Sequence, residues 1–329
     1  MRGQIPHCAR NDIAEHVILS GAEDLPLEAT GVSEVAARSA IIGGSTGFRF
    51  LERHEGLERL GPVSTPFGES SPVYRGSSSG ADFLYISRHG ERGYDITASF
   101  VNYRANIWGL KELGVERIIA WSGPAAIDPA IGIGEILAPG DLIDETKRRD
   151  HTFFEGLGIG FVRQCPTFCP EVSAALAEAA RERLGICRTD DVYVCTEGPR
   201  LETAAEIRKF ARNGGTVVGM TLAPEVFLAK ELEICYAAVC YVTNYAEGVR
   251  DRPFRPGVLF EGLLDDAEKR AADDAAAATA EVALSALARL AGRQRGCTCA
   301  RLMERYRLRG DIGSDWHTWI RRRSPADEE

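Results

Sequence analysis

Six short apolar runs recur along the chain, and each ends at a polar turn. Ala40-Ile41-Ile42 leads into Gly43-Gly44-Ser45-Thr46-Gly47. The run Asp82 to Ser87 delivers Arg88-His89-Gly90, and Arg117 to Trp121 ends at Ser122-Gly123-Pro124. Val192 to Thr196 meets Glu197-Gly198-Pro199-Arg200, Val217 to Thr221 follows, and Tyr236 to Val242 ends at Thr243-Asn244. Short, continuously apolar, β-branched runs predict strands buried on both faces. Between them lie helical patterns: Asn102 to Leu113, with Ala105, Trp108 and Leu113 at helical spacing, then Glu171 to Leu184, Glu202 to Asn213 and Pro224 to Glu231. Gly114 stands where a glycine commonly closes a helix, and Asp265 to Leu290 is a long Ala-rich helix. The alternation predicts an α/β fold, a single domain with a central mixed sheet flanked by helices. Residues 1–39 lack periodicity and read as an N-terminal extension, residues 40–290 as the domain, and 291–329 as an Arg-rich tail. The tail carries nine Arg and six acidic residues with Trp316 and Trp319. It reads either as disordered or as a docking segment for another subunit.

Ligands of such sheets gather beyond the strand ends, where the polar residues of this chain stand. The Gly43–Gly47 turn suits an anion, because glycines admit it close to backbone N–H groups. No Gly-Lys-Ser/Thr follows, and the glycine spacing is not that of a dinucleotide fingerprint. Arg88-His89 reads either as an anion clamp, planar fork plus tunable donor, or as a surface Arg beside a structural His. Thr221 offers a hydroxyl or a strand-end cap. Glu202 is either exposed on its helix or the acceptor for a ligand N–H, since a buried carboxylate needs a partner. Asn244 offers an amide able to read a heterocycle.

Composition narrows the partners. The chain has 329 residues, 44% hydrophobic and 26% charged, with formal net charge −9. That balance speaks against general nucleic-acid or acidic-membrane binding. No apolar run reaches membrane-spanning length, and the first residues lack a signal-peptide core. Nine irregularly spaced cysteines point to a reduced, cytoplasmic protein. Cys187, Cys195, Cys235 and Cys240 read as buried thiols. Cys297 and Cys299 form a CxC with no companion Cys or His at zinc spacing, and read as free thiols in the tail.

Taken together, several blocks resemble the trimeric purine nucleoside phosphorylases, including the methylthioadenosine and methylthioinosine phosphorylases. They are Ile42-Gly43-Gly44-Ser45, Thr65-Pro66-Phe67-Gly68, Arg88-His89-Gly90, the stretch Val101 to Trp108, Glu197-Gly198-Pro199-Arg200, Gly219-Met220-Thr221 and Pro224-Glu225-Val226. The resemblance spans Ile41 to Glu247. It implies reversible phosphorolysis: orthophosphate, a co-substrate, attacks C1′ of a purine nucleoside to give free base and pentose 1-phosphate. By similarity Ser45, Arg88, His89, Ser122, Gly123 and Thr221 would hold phosphate, with the backbone of Gly44. Met220 would lie on the ribose and Leu201 near the base. The resemblance further implies a homotrimer, in which Phe161 caps a neighbour's sugar pocket. Asn244 and His89 would be the catalytic pair, with no metal and no organic cofactor. Pro124 departs from the family's turn and has no N–H to offer.

Members acting on 6-aminopurines carry Asp in place of Asn244 and a small residue in place of Glu202. The Glu/Asn pair belongs to 6-oxopurine enzymes. The chemistry agrees: hypoxanthine and guanine offer N1–H to a carboxylate, and O6 and N7 to an amide NH₂. Adenine, with an acceptor at N1, would leave a mispaired group costing ~1–3 kcal/mol. Inosine and guanosine are therefore the expected substrates. Arg255 to Phe260 contains no His of the kind that binds a 5′-hydroxyl, so a 5′-methylthio substrate stands as the alternative.

Overall fold

The computed structural model describes residues 37–252, 255–259 and 264–320. The predicted extension, apart from its last three residues, lies outside the described residues. The elements begin β1 (Ser39–Gly43), α1 (Gly47–Arg53), β2 (Glu58–Gly61), β3 (Ser64–Thr65), β4 (Gly68–Glu69), β5 (Val73–Ser78), β6 (Ala81–Ser87) and α2 (Tyr103–Glu112). They continue β7 (Arg117–Ser122), β8 (Ala125–Ala126), β9 (Ile136–Leu137), β10 (Asp141–Glu145), α3 (Pro170–Leu184), β11 (Val192–Thr196) and α4 (Ala204–Arg212). The last are β12 (Val217–Gly219), α5 (Glu225–Glu231), β13 (Cys235–Tyr241), β14 (Asn244–Tyr245), α6 (Asp266–Leu290) and α7 (Glu304–Arg309).

The apolar runs build two mixed sheets. The larger has the order β2-β5-β6-β1-β7-β13-β9, the smaller β10-β11-β12-β8-β14. In the larger, β6, β1, β7 and β13 are mutually parallel, and every residue of β7 and β13 is buried. Continuous apolarity is what a strand covered on both faces requires. Parallel register decides where the polar ends go. Gly43 pairs with Ser87, and Ser122 with Cys240, so the turns after four strands share one edge.

Local signals set the helix limits. Asn102 caps α2 by accepting from the Ala105 N–H, and Gly114 follows with φ of 83°, the left-handed geometry glycine adopts freely. Asp265 and Glu268 form a capping box on α6. Thr203 and Glu206 form one on α4, so Glu202 precedes that helix instead of starting it. A reciprocal cap is worth about 1 kcal/mol, enough to move a boundary that periodicity alone placed earlier.

As far as residue 320 the tail is ordered, and it follows neither of the two expected courses. It folds back on its own domain. Trp316 packs edge-on to Trp108 with ring centroids 4.4 Å apart. Trp319 is buried and donates to the Gly313 carbonyl at 2.9 Å. Arg307 forks onto Glu233 at 2.7 and 3.0 Å.

Candidate active site

At the shared edge lies a cavity of about 600 Å³, bounded by the turns after β1, β6, β7, β11, β12 and β13. It is lined by Ser45, His89, Ser122, Gly123, Leu201, Glu202, Met220, Thr221 and Asn244. These residues span two hundred positions in sequence, and strand register brings them together. Close approach demands the glycines. A Cβ at Gly44 would sit 2.7 Å from the Trp121 carbonyl oxygen, and one at Gly123 2.8 Å from Thr243 Cγ2.

One wall is a hydroxyl cluster. Thr221 donates to Ser122 Oγ at 3.2 Å, and Tyr193 Oη lies 3.0 Å from the same oxygen. The same cavity holds the two base-reading candidates. Glu202 is half-buried, and one of its carboxylate oxygens accepts from Thr196, leaving the other for a ligand. Asn244 is buried. Its Oδ1 accepts from the Thr243 hydroxyl at 2.7 Å, and its Nδ2 donates to the Tyr245 carbonyl at 2.8 Å. A carbonyl can only accept, so this contact fixes which end of the amide is nitrogen. One Nδ2 hydrogen remains uncommitted. Pro124, which has no N–H, contributes its carbonyl instead: it accepts from the Thr243 N–H at 3.0 Å and so holds the strand end before Asn244.

His89 is buried and stacks on Tyr94 with centroids 4.3 Å apart. Its Nδ1 lies 2.9 Å from the Ile96 carbonyl, which makes Nδ1 the protonated nitrogen and leaves Nε2 a free acceptor. Burial, and next the charge of Arg88, push its pKa down to about 4. His89 is therefore neutral near pH 7, an acceptor at Nε2 and not the cationic donor that a clamp suggests.

Arg88 and Phe161 do not line this cavity. Arg88 is fully buried behind His89 and forks onto Glu225 at 3.1 and 2.6 Å, with a third bond to the Trp121 carbonyl at 3.0 Å. Tyr236 donates to the same carboxylate at 2.6 Å. Burial opposes the Arg88 charge, but Glu225 more than offsets it and raises the pKa above the usual arginine value. Two of its five N–H groups have no hydrogen-bond partner among the described residues, and its charge is already balanced. Phe161 is 81% exposed on a separate loop, its N–H bonded to Tyr306 Oη at 2.7 Å.

Nothing in the residue pattern marked Arg149. Its buried guanidinium donates to the carbonyls of Met220, Ala223, Thr196 and Glu197 at 2.6–3.1 Å, and to Tyr103 Oη. One side chain thus ties the turn after β11 to the turn after β12, fixing Met220 and Thr221 relative to Glu202. Glu225 lay inside a recognised block, but nothing in its spacing marked it as the partner of Arg88. The CxC has neighbours that sequence spacing did not reveal: Cys169 and Cys235 lie against Cys297 and Cys299, and all four are free thiols.

This architecture, strand-end glycines facing a hydroxyl cluster, is that of a nucleoside-phosphorylase fold, and comparison with known proteins agrees. Residues 38–290 match the model of the phosphorylase superfamily, and the chain belongs to that superfamily. It is 41% identical over 239 residues to the 6-oxopurine nucleoside phosphorylase of Pyrococcus furiosus, covering 70% of this chain and 88% of that one. A protein of Dictyoglomus turgidum named "Probable 6-oxopurine nucleoside phosphorylase" is 37% identical over 281 residues, covering 83% and 99%. One of Methanothermobacter thermautotrophicus, named "Probable S-methyl-5'-thioinosine phosphorylase", is 41% identical over 226 residues, covering 69% and 78%. Among solved structures, a methylthioadenosine phosphorylase from an antarctic soil metagenomic library superposes with a TM-score of 0.69 at 30% identity, covering 81% and 90%.

Proposed function

We propose that the protein is a purine nucleoside phosphorylase acting on 6-oxopurine nucleosides, inosine and guanosine, to give free base and ribose 1-phosphate. The observation that carries this is the pairing, in one cavity with the hydroxyl cluster, of a free Asn244 N–H and a free Glu202 carboxylate oxygen. A 6-oxopurine complements both: its N1–H meets the carboxylate, and its O6 or N7 accepts from the amide. As the glycosidic bond lengthens, negative charge develops on the purine. The Asn244 contact strengthens with it and stabilises the leaving group.

Phosphate sits in this reading among Ser45, Ser122 and Thr221. The neutral Nε2 of His89 accepts the acidic proton of monohydrogen phosphate, orienting its ionised oxygens toward C1′. Met220 supports the ribose and Leu201 the base. Catalysis rests on placing two bound reactants and on charge stabilisation, with no covalent bond to the protein. It draws on no organic cofactor and no catalytic metal; orthophosphate is co-substrate. The functional unit is a homotrimer in the cytoplasm. In support of the homotrimer, Phe161 is a large apolar side chain left exposed on the surface.

The test is hypoxanthine release from inosine with and without phosphate, with ribose 1-phosphate measured as co-product. Release that ignores phosphate, or that yields free ribose, defeats the proposal. A second reading, a 5′-methylthio-6-oxopurine nucleoside, is favoured by Leu259, an apolar side chain on the cavity wall. Comparing kcat/KM for methylthioinosine with that for inosine decides between them.

A further inference from the structure

Four cysteines that are far apart in sequence converge at the end of the sheet opposite the cavity. The Sγ atoms of Cys169, Cys235, Cys297 and Cys299 all lie within 4.8 Å of one another, and Cys235 and Cys297 are 3.3 Å apart. Cys169, Cys235 and Cys299 are buried, and Cys297 is partly so. A zinc ion with four thiolates at ~2.3 Å sits at the centre of a tetrahedron whose edges are ~3.8 Å. The cluster is close to that size already. We propose that these four thiols form a structural zinc site.

The ligands come from three pieces of chain that are held independently of any ion. Cys235 opens β13, and Cys169 caps α3. The Cys169 N–H donates to the Tyr236 carbonyl at 2.8 Å, which locks those two together. The CxC is fastened on both sides to Glu233: Arg295 donates to its backbone carbonyl at 2.9 Å, and the Met303 N–H to its carboxylate at 2.8 Å. Four thiolates around Zn²⁺ leave two net negative charges, which calls for cationic surroundings. The positive end of α3 faces Cys169. Lys230, Arg301 and Arg305 line the adjoining 420 Å³ cavity, to which Cys169 and Cys299 contribute. That cavity also gives an ion a way in. Four protein ligands and near-complete burial describe a closed site with no position for substrate. Its place at the head of β13, ~20 Å along the strand from the catalytic edge, gives it a mechanical role. It staples the C-terminal segment to the central strand.

The experiment uses the full chain, purified in reductant without metal-affinity resin after growth with zinc. Elemental analysis should find about one zinc per chain. Cys297→Ser and Cys299→Ser should each carry at least about tenfold less, whereas Cys187→Ser, a buried thiol outside the cluster, should keep the full amount. Stripping the wild type with a chelator should lower its Tm, and added zinc, not magnesium, should restore it. The wild-type assay stands whether or not the variants fold, and none of these readouts depends on phosphorolysis. Zinc-free wild type overturns the proposal, whether the four thiols alkylate freely or are recovered as disulfide-linked peptides.

Discussion

Replacing Asn244 by Asp tests base recognition more sharply than a truncation does, because the structure fixes what the new oxygen must face. Nδ2 lies 2.8 Å from the Tyr245 carbonyl oxygen and Oδ1 accepts from Thr243. Asp keeps the second contact and turns the first into two oxygens that both want a donor. The substrate also loses the N–H offered to O6 or N7. A lost hydrogen bond costs about 0.5–1.5 kcal/mol, and O6 or N7 set against the new carboxylate leaves a buried acceptor unpaired in the complex at a further ~1–3. A total of ~2–4 kcal/mol corresponds to about a 30- to 1,000-fold fall in kcat/KM for inosine. Adenosine should gain far less, since its exocyclic amine can donate to Asp but its N1 still faces the Glu202 carboxylate. Asn244→Ala, which removes the amide without opposing oxygens, should lose only about two- to tenfold. Steady-state kinetics of both variants with inosine and adenosine measure this. An unchanged inosine-to-adenosine ratio in the Asp variant, or a wild type that prefers adenosine, would refute the role of Asn244. Equal losses in the two variants would refute the repulsion between the new carboxylate and O6 or N7 of the purine.

Arg88→Ala strands the Glu225 carboxylate in the core and should destabilise the fold by about 3–5 kcal/mol in urea unfolding. Arg88→Met with Glu225→Met should recover most of that and keep a near-wild-type phosphate KM, since Arg88 lies outside the cavity lining; a raised phosphate KM in that stable double variant would put Arg88 in contact with phosphate. Arg149→Lys replaces a fork that reaches four carbonyls with a single point charge, so kcat/KM should fall about tenfold or more through misplacement of Met220 and Thr221; wild-type kinetics would show that the clamp does not position the site. His89 has a folded pKa of about 4, below its unfolded value of ~6.5. The unfolded chain therefore binds the extra proton between those values, so stability is lost as pH falls from about 6.5 to 4, by up to ~3 kcal/mol. His89→Gln should flatten that slope in urea midpoints taken across the window, and an identical slope would show that His89 titrates normally.

What the sequence made legible follows from the physics of buried parallel strands. A strand covered on both faces must be apolar throughout, so its end is marked by the first polar residues, and parallel register collects those ends on one edge. Ser45, His89, Ser122, Thr221 and Asn244 could be read for that reason. Partners inside the core carry no such mark. Arg88 and Glu225 are 137 positions apart, and Arg149 lies in a basic run with nothing to show that its guanidinium turns inward to carbonyls. A resemblance can name Arg88 as a phosphate ligand, but only the fold shows that its charge is already balanced. The cysteines fail in the same way. Zinc spacing is legible when ligands sit on one knuckle, and here they are spread over α3, β13 and the tail.

Strand β13 joins the two sites. Its first residue is a thiol of the cysteine cluster, and the chain just past its last residue holds Asn244. Every residue of the strand is buried, and it is paired with β7 or flanked by helices, so the surrounding core holds its far end in place. Anchoring of the tail and recognition of the base therefore act on the same element without sharing a side chain. Losing the metal-site thiols should change how long the fold survives heating, and should leave the preference among purines where it was.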